Sequence, residues 1–381
     1  MNDLKFIPKA EQNPHYYYVD NDLQAYPDAW CYLIYSKRGP GKTYSVLDLM
    51  RRSEIPFVYL KRTIDDVHNL AAGSQKDSAK EKSIDMSPFA PINRDKGTNI
   101  RCFEIEKGIA GFYECEFSSE DQKYHPYGKP LGYVFAVSAI AKYKGFNLTE
   151  CDFMIYDEFI PMPWERVSTK EGEAVLSLYN TVSRDRVLRG LPELKLVCLA
   201  NATRLNNQLF DVLEVIDTVA DMEVHKIGIN YDEYRGILIH KIMDSEFPEA
   251  IAKGDRKLTG IERAMQNTAF GAVEYGGNFA YDSNVHVIDK THMKQFKPLC
   301  SFIHRTTTYY VYKKQGQWYI CKSRHDRGKC YDLSDDVQAH QFWKDYCFDM
   351  RLDMFEDHVT FECYSAYNII YNYKKMYNIE R

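Results

Sequence analysis

A glycine-rich segment directly after an apolar run carries the residue types that bind a nucleoside triphosphate. Its members are Ser36, Lys37, Arg38, Gly39, Pro40, Gly41, Lys42 and Thr43. Glycines let backbone N–H groups wrap phosphate oxygens at a helix N-terminus, Lys42 supplies a cation for the β- and γ-phosphates, and the Thr43 hydroxyl can bind Mg²⁺. The phosphate-loop pattern GxxxxGK followed by Ser or Thr is met except at its first glycine, where Ser36 stands. An ordinary Gly–Pro turn is the alternative.

Two carboxylates follow a second apolar run about 115 residues after Lys42, in the string FMIYDE. This is the pattern of a Walker B strand. Asp157 at the strand end would hold Mg²⁺ through water, and Glu158 would polarise the attacking water as a general base. The alternative is a plain buried strand that ends in a solvated acidic turn. The phosphate-loop segment upstream makes the catalytic interpretation the favoured one.

Two further positions have residue types that suit nucleotide chemistry. Asn201 follows the apolar run Lys195–Ala200 and is a candidate sensor that touches both the γ-phosphate and water, or else a helix N-cap. In the string SRDR, Arg184 or Arg186 could enter a neighbouring subunit's site as an arginine finger, or else form surface salt bridges.

Lysines cluster in two segments that could contact DNA phosphates. They are Lys142 and Lys144, just before the Walker B run, and Lys76, Lys80 and Lys82 in a polar segment. Phosphate contact is one interpretation and a solvated loop is the other.

Composition restricts the class of protein. The chain has 381 residues, 45% apolar and 27% charged, with 49 Lys plus Arg against 54 Asp plus Glu and a formal charge of −5. This excludes a uniformly basic nucleic-acid coat, although a local basic channel stays possible. No apolar run approaches the roughly 20 residues that span a bilayer, and the first residues lack a secretory h-region, so we expect a protein that is neither membrane-embedded nor secreted. Ten scattered cysteines without CxxC spacing fit a reduced cytosolic setting.

Short apolar runs alternate with helical stretches through the first half of the chain. The predicted strands are Cys31–Ser36, Pro56–Lys61, Leu131–Val137, Asp152–Asp157 and Lys195–Ala200, with a hairpin at Ile100–Ile105 and Phe112–Phe117. The predicted helices are Lys42–Arg52, Lys170–Val182 and Asn206–Val215. Near-continuous apolar strands are typical of a parallel sheet covered on both faces, so we predict an α/β fold.

The second half of the chain differs in pattern. Asp244–Asn278 is polar and Gly-rich, Ser301–Lys313 and Gln317–Lys322 suggest a hairpin, and Asp335–Met376 has helical spacing. We therefore predict an ATPase domain at residues 1–228, a linker or small subdomain at 229–280 and a C-terminal domain at 281–381.

With these motifs in place, the chain resembles the double-stranded DNA packaging ATPases of tailed phages. More narrowly, it is similar to the small encapsidation motors of the phi-twenty-nine type. The strings that carry the likeness are SKRGPGKTY, PFVYLKR, IYDEFIP, NTVSRDRVLR and VCLANATRLNNQLF, in that order. The likeness is strong over residues 30–215 and looser beyond.

The resemblance implies a P-loop NTPase core of the additional-strand, conserved-Glu type, with ATP and Mg²⁺ as cofactors. It also implies a smaller α/β C-terminal domain like an RNase H-like nuclease that has lost activity. The absence of Asp and Glu from Ser301–Lys313 agrees with a nuclease fold without nuclease chemistry. The partners that it implies are duplex DNA, further copies in a ring, typically of five, and the portal of an empty capsid in the host cytoplasm, with an RNA adaptor left open.

Matching the family's motifs residue by residue assigns roles that the spacing alone does not. Lys42 and Thr43 match the phosphate and Mg²⁺ ligands, and Asp157 and Glu158 match the Walker B pair. Asn201 matches the coupling motif. The remaining matches are Arg184 with the trans-acting finger, Gln12, Asn13 and Pro14 with adenine contacts, and Lys61 and Arg62 with a pair of arginines from which Lys61 departs.

The function that these observations predict is ATP-driven translocation of double-stranded DNA into a capsid. Two alternatives of other kinds stay open. One is a different P-loop ATPase such as a helicase or DNA-segregation pump, and the other is a binding module with a degenerate phosphate loop, as Ser36 suggests.

Overall fold

The protein is described by a computed structural model over residues 4–75, 85–143, 148–162, 164–165, 167–247, 260–265, 267–268, 271, 279, 295–325 and 327–379. The chain divides into two compact units. The first comprises Met1–Arg166, Glu173–Arg204 and His225–Ala280, and the second Val167–Gly172, Leu205–Val224 and Tyr281–Arg381. Among the described residues, no helix is long and apolar enough to cross a membrane.

A nine-stranded sheet forms the centre of the first unit. Its strands are β1 Cys31–Ser36, β2 Phe57–Lys61, β3 Ile100–Glu106, β4 Ile109–Ser118, β5 Lys123–Ala136, β6 Phe153–Asp157, β7 Lys195–Asn201, β8 Ile229–Asp232 and β9 Ile237–Lys241. The helices of this part of the chain are α1 Val19–Ala25, α2 Lys42–Ser53, α3 Ile64–Gln75, α4 Ala90–Lys96 and α5 Glu171–Ser183.

The strand order is β3-β4-β5-β2-β6-β7-β1-β9-β8. In this order, each neighbouring pair in the run β5-β2-β6-β7-β1-β9 is parallel. The pairs β3-β4, β4-β5 and β9-β8, at the two margins of the sheet, are antiparallel. All six residues of β1 are buried, as are the first six of β7. The continuous apolar runs reflect this two-sided burial, which is typical of parallel sheets, and the prediction of an α/β fold with a mainly parallel sheet is confirmed.

Strand β7 lies between β1 and β6 and pairs in parallel with both. In this register Ser36 lies beside Asn201, and Asp157 lies beside Leu199. The carboxyl ends of the three strands therefore meet at one edge of the sheet, where open α/β sheets place their ligands.

The second unit contains a five-stranded sheet of order β13-β10-β11-β12-β14. Its strands are β10 Lys297–His304, β11 Thr307–Lys314, β12 Gln317–Cys321, β13 Cys330–Asp332 and β14 Val359–Phe361. The helices of this unit are α6 Gln208–Val212, α7 Ile216–His225, α9 Asp336–Phe342, α10 Phe348–Met354 and α11 Tyr364–Met376. Helix α8, Gly260–Met265, belongs to the first unit. The core of the second unit is formed by buried apolar residues that include Phe302, Trp318, Phe342 and Tyr373.

The structure divides the chain differently from the predicted boundaries. Residues 205–224, placed by the sequence in the ATPase domain, belong to the second unit. Asp211 explains this, since its carboxylate accepts hydrogen bonds from Arg305 Nε and Nη2 at 3.0 and 2.9 Å. Strands β8 and β9 belong to the large sheet, so the predicted linker at 229–280 begins with two paired strands.

Two predicted elements are split in the structure. The helix expected over Asn206–Val215 is the short helix α6, and a separate helix, α7, follows it. Ser301–Lys313, expected to form one strand of a hairpin, contributes to two antiparallel strands, β10 and β11. They are joined at a tight turn in which Arg305 has a φ of 53°. All ten cysteines are free thiols.

Candidate nucleotide-hydrolysis site

The loop between β1 and α2 holds both of its glycines at positive φ. Gly39 and Gly41 have φ values of 99° and 89°, a region that L side chains rarely adopt. Gly41 is the N-cap of α2, which begins at Lys42. The positive end of the helix dipole therefore faces the loop, where it favours an anion.

Lys42 is buried at the base of this loop and held by three oxygen acceptors. Its Nζ donates to Ser36 Oγ at 2.6 Å, to the Lys37 carbonyl at 3.1 Å and to Asn201 Oδ1 at 3.3 Å. Burial lowers the pKa of Lys42 to about 8, with the charge of Asp157 partly offsetting it. Ser36, which replaces the expected glycine, thus contributes a hydroxyl that orients the lysine.

Thr43 in the first turn of α2 and Asp157 at the end of β6 place two oxygen ligands side by side. Thr43 Oγ1 donates to Asp157 Oδ1 at 3.1 Å, and Tyr59 OH donates to Asp157 Oδ2 at 2.6 Å. Burial and then the charge of Asp157 raise the pKa of Tyr59 well above 10, so the phenol stays a donor. A hydroxyl and a carboxylate at this separation suit a hard cation such as Mg²⁺, which takes one or two protein ligands beside phosphate and water.

Glu158 lies beside this pair in an unusual backbone conformation. Its φ is 60°, in the left-handed region that non-glycine residues adopt uncommonly. Its side chain is 70% exposed, and one oxygen, Oε2, lies 3.2 Å from Lys61 Nζ. Burial tends to lower the pKa of Lys61, but the charges of Asp157 and Glu158 outweigh it and raise the pKa. The Glu158 carboxylate is therefore available to solvent and paired with a firmly charged lysine.

Arg62 fixes the backbone around Glu158. Its Nη2 donates to the Glu158 carbonyl at 2.8 Å, and its Nη1 contacts Glu165 Oε2 at 2.7 Å. Lys61 and Arg62 thus act on opposite parts of Glu158, one on the carboxylate and one on the main chain. The sequence suggested the pair only through family resemblance, and left Lys61 without a clear role.

These groups surround a cavity of about 430 Å³. Its walls are Arg38, Gly39, Pro40, Gly41, Lys42, Thr43, Tyr44, Asp157, Glu158, Ala200 and Asn201. The structure brings together the predicted phosphate, Mg²⁺, base and sensor residues at one edge of the sheet. Lys37 differs from its neighbours, since its side chain pairs with Asp244 and only its carbonyl faces Lys42.

The segment predicted to contact adenine lies against the phosphate loop. Tyr17 N donates to the Pro40 carbonyl at 2.8 Å, and a Cβ added at Gly41 would meet the Tyr16 ring at 3.4 Å. Gln12 and Asn13 line a second cavity of about 800 Å³, together with Tyr16. The Gln12 amide is already paired, since it exchanges hydrogen bonds of 3.0 Å with the Asn21 amide. Reading an adenine edge with Gln12 would require this pair to open.

A charged cluster of the buried residues Asp22 and His240 and the partly exposed Glu246 forms another wall of the second cavity. His240 Nδ1 lies 2.8 Å from Asp22 Oδ2, and His240 Nε2 lies 3.1 Å from Glu246 Oε2. Burial tends to lower the pKa of His240, but the two carboxylates raise it from 6.5 to about 9. Tyr17 OH also donates to Asp22 at 2.6 Å. The sequence gave no signal for this cluster, because its two parts, Tyr17 with Asp22 and His240 with Glu246, lie more than 200 residues apart in the chain.

Arg184 and Arg186 lie at the other edge of the sheet. Arg186 is buried, and its guanidinium donates to the carbonyls of Thr149 at 2.5 Å and Cys151 at 2.8 Å, and to Asp152. These partners immediately precede β6, so the turn lies at the amino ends of the parallel strands. At roughly 3.3 Å per residue, the five residues of β6 put about 16 Å between the two edges. Arg184, which is exposed, therefore cannot reach the cavity of its own chain.

The predicted DNA-contacting lysines fall mostly outside the description. Lys76, Lys80, Lys82 and Lys144 lie outside the described residues. The backbone of Lys142 belongs to the 3₁₀ stretch Val137–Tyr143. The DNA-binding role of all five lysines stays a prediction.

Comparison with known proteins finds matches only at the level of three-dimensional structure. No family profile and no curated protein sequence matches the chain. The Phi-28 gp11 DNA packaging motor has 16% identity and a TM-score of 0.59, with 97% of this chain and 100% of that chain covered. The packaging motor assembly of bacteriophage Phi-29 has 18% identity and a TM-score of 0.58, with 95% and 99% covered.

A weaker match, with a TM-score of 0.34 and 14% identity, relates 73% of this chain to 96% of the large terminase ATPase domain of Thermus phage P74-26. The chain shares the fold of the two packaging motors over nearly its full length, and the low identities limit that conclusion to the fold.

Proposed function

We propose that this chain is an ATP-hydrolysing motor subunit that acts in a ring to move double-stranded viral DNA into an empty capsid. The observation that carries the proposal is the set Lys42, Thr43, Asp157 and Glu158 around one cavity, in a chain that shares the fold of packaging motors. A position for β7 between β1 and β6 supports the additional-strand type of NTPase core. The likeness of the C-terminal domain to an inactive nuclease stays part of the proposal.

In this mechanism Lys42 neutralises charge on the β- and γ-phosphates. Thr43 and Asp157 would hold Mg²⁺, directly or through water, and the ion would supply electrostatic stabilisation of the transferring phosphoryl group. Asn201, which already contacts Lys42, can sense the γ-phosphate. The base would lie in the neighbouring cavity beside Gln12, Asn13 and Tyr16.

Glu158 aligns the attacking water, and it can do so only after its carboxylate leaves Lys61. Arg184 cannot reach the cavity of its own chain, since it lies at the opposite edge of the sheet. In this mechanism it completes the site of the next subunit instead. Hydrolysis in one subunit is thereby timed by its neighbour.

The test is ATP turnover by the purified chain with and without intact duplex DNA, with Glu158→Gln measured alongside. We expect turnover to rise with duplex and to fall at least 100-fold in Glu158→Gln, because a glutamine cannot accept the proton of water. Nucleotide binding by the variant should persist, which separates loss of chemistry from loss of the site.

Turnover that requires single-stranded DNA and ignores duplex would favour a helicase. Nucleotide binding without any turnover, with or without DNA, would favour the non-catalytic binding module. Equal turnover in Glu158→Gln and wild type would remove Glu158 from the mechanism.

A further inference from the structure

The turn that follows α5 exposes a small apolar surface beside its arginines. Val187 is 70% exposed, Leu188 is 88% exposed and Leu191 is 39% exposed. Arg184 and Arg189 are exposed on the same turn, together with Asp185. We call the segment Arg184–Leu191 the arginine turn. Three large aliphatic side chains are thus exposed within one short segment, and contiguous exposed apolar residues are candidates for a contact surface.

The arginine turn is held rigidly in place, so its exposed side chains are pre-arranged. Arg186 anchors its interior through the carbonyls of Thr149 and Cys151 and through Asp152. Its guanidinium also donates to the Pro192 carbonyl at 3.0 Å. Backbone hydrogen bonds from Gly190 N to Val187 O and from Leu191 N to Arg186 O close the turn. A rigid surface loses little entropy on binding.

A complementary surface follows the carboxyl end of β6, on the opposite edge of the sheet. It includes Trp164, which is 66% exposed and lies six residues after Glu158 in the chain. Two partly exposed carboxylates belong to the same stretch of chain, Glu158 with 70% and Glu165 with 40% of the side chain accessible. Arg62 fixes this segment, because it contacts Glu165 and the Glu158 carbonyl. One face is thus aliphatic and cationic, and the other is aromatic and acidic.

We propose that the arginine turn of one copy docks on Trp164 of the next copy, with Leu188 and Val187 packed against the indole. Arg189 is then directed towards the Glu165 carboxylate, and Arg184 towards the cavity beside Glu158. This inference rests on the proposed function and adds to it the contact that delivers Arg184. Because the two surfaces lie on opposite edges of the same unit, the contact is head-to-tail, the type of contact that closes into rings.

The test uses Leu188→Asp and Trp164→Ala, with Val337→Asp as the matched control. Val337 is also an exposed aliphatic residue, 78% exposed on α9, but it lies in the second unit. We expect each interface variant to lose at least tenfold in ATP turnover while it binds nucleotide and melts like wild type. Val337→Asp should keep wild-type turnover.

Mixing the two interface variants supplies the decisive measurement. A Leu188→Asp subunit retains an intact Trp164 surface, and a Trp164→Ala subunit retains an intact arginine turn. In an equal mixture, random assembly makes about a quarter of the head-to-tail contacts fully wild type. Turnover should therefore recover above that of either variant alone.

Wild-type turnover in Leu188→Asp, or no recovery in the mixture while wild type is active, would overturn the docking contact and leave the proposed ATPase intact. If wild type itself shows no turnover, the proposed function fails, and the contact is judged by sedimentation. Identical sedimentation of wild type and Leu188→Asp would then overturn it. Should Leu188→Asp aggregate, Leu188→Ala replaces it in the same measurements.

Discussion

Ser36 shows how a single side chain adapts the phosphate loop. Where the loop pattern has glycine, this chain places a buried serine whose hydroxyl accepts from Lys42 Nζ at 2.6 Å and donates to the Lys37 carbonyl at 2.6 Å. The hydroxyl offers a buried ammonium an acceptor, and such an acceptor reduces the cost of burying charge. The departure from the pattern is therefore compatible with phosphate binding.

His240 makes the stability of the first unit depend on pH. Its pKa in the folded protein is about 9, above the ordinary value of 6.5, because Asp22 and Glu246 outweigh burial. The protonated form is favoured by folding, so the stabilisation is complete below about pH 6.5 and is lost as the pH rises through about 9. We expect the free energy of unfolding to fall by roughly 2–3 kcal/mol over that window.

Chemical unfolding at pH values from 6 to 10 measures this dependence. His240→Gln should flatten the curve, since it removes the titrating group and keeps hydrogen-bonding capacity. His225→Gln, at an exposed histidine at the end of α7, is the control and should keep the wild-type slope. An unchanged slope in His240→Gln would assign the pH dependence to other groups.

At the scale of elements, the arginine turn separates two arginines that the sequence could not tell apart. Arg186 is an internal support for the amino ends of β6 and β7, and Arg184 is exposed. Arg186→Met should cost about 2–3 kcal/mol, because it leaves three carbonyls and the partly exposed Asp152 without their donor. Arg184→Met should change stability by less than about 0.5 kcal/mol and yet abolish turnover in the assembled ring.

Thermal and denaturant unfolding of both variants, run beside ATP turnover, distinguish the two roles. A stable Arg186→Met protein would mean that the support is dispensable. Normal turnover in Arg184→Met would place the trans-acting cation elsewhere, with Arg189 on the same turn the next residue to test.

At the scale of the whole molecule, the net charge is −5, so any contact with DNA phosphates must come from a local cluster of basic residues. If Lys142 and Lys144 contact phosphates, binding to duplex should weaken steeply with salt and should be the same for unrelated sequences. Replacing both by alanine should lower the slope of log K against log salt by about 2, or roughly one per contact. Lys107→Ala, at an exposed lysine in the β3–β4 turn, is the control.

Fluorescence anisotropy with two duplexes of unrelated sequence over a salt series gives this slope. A slope that the double alanine variant leaves unchanged would place the grip elsewhere in the chain. A strong preference for one duplex would contradict a motor that moves any DNA.

The sequence by itself determined the residues whose chemistry is local. Lys42, Thr43, Asp157 and Glu158 stand in short motifs beside apolar runs, and the runs dictate strands that are buried on both faces. Parallel pairing then places their ends together, so the fold class and the main groups of the candidate site could be predicted.

Only the tertiary structure decided the features that depend on contacts between distant segments. Tyr59 and Lys61 reach Asp157 and Glu158 because β2 pairs with β6, and His240 meets Asp22 across 218 residues. The assignment of α6 to the second unit depends likewise on Asp211 and Arg305. Side-chain partners and burial of this kind depend on long-range register and packing, which local residue patterns do not encode.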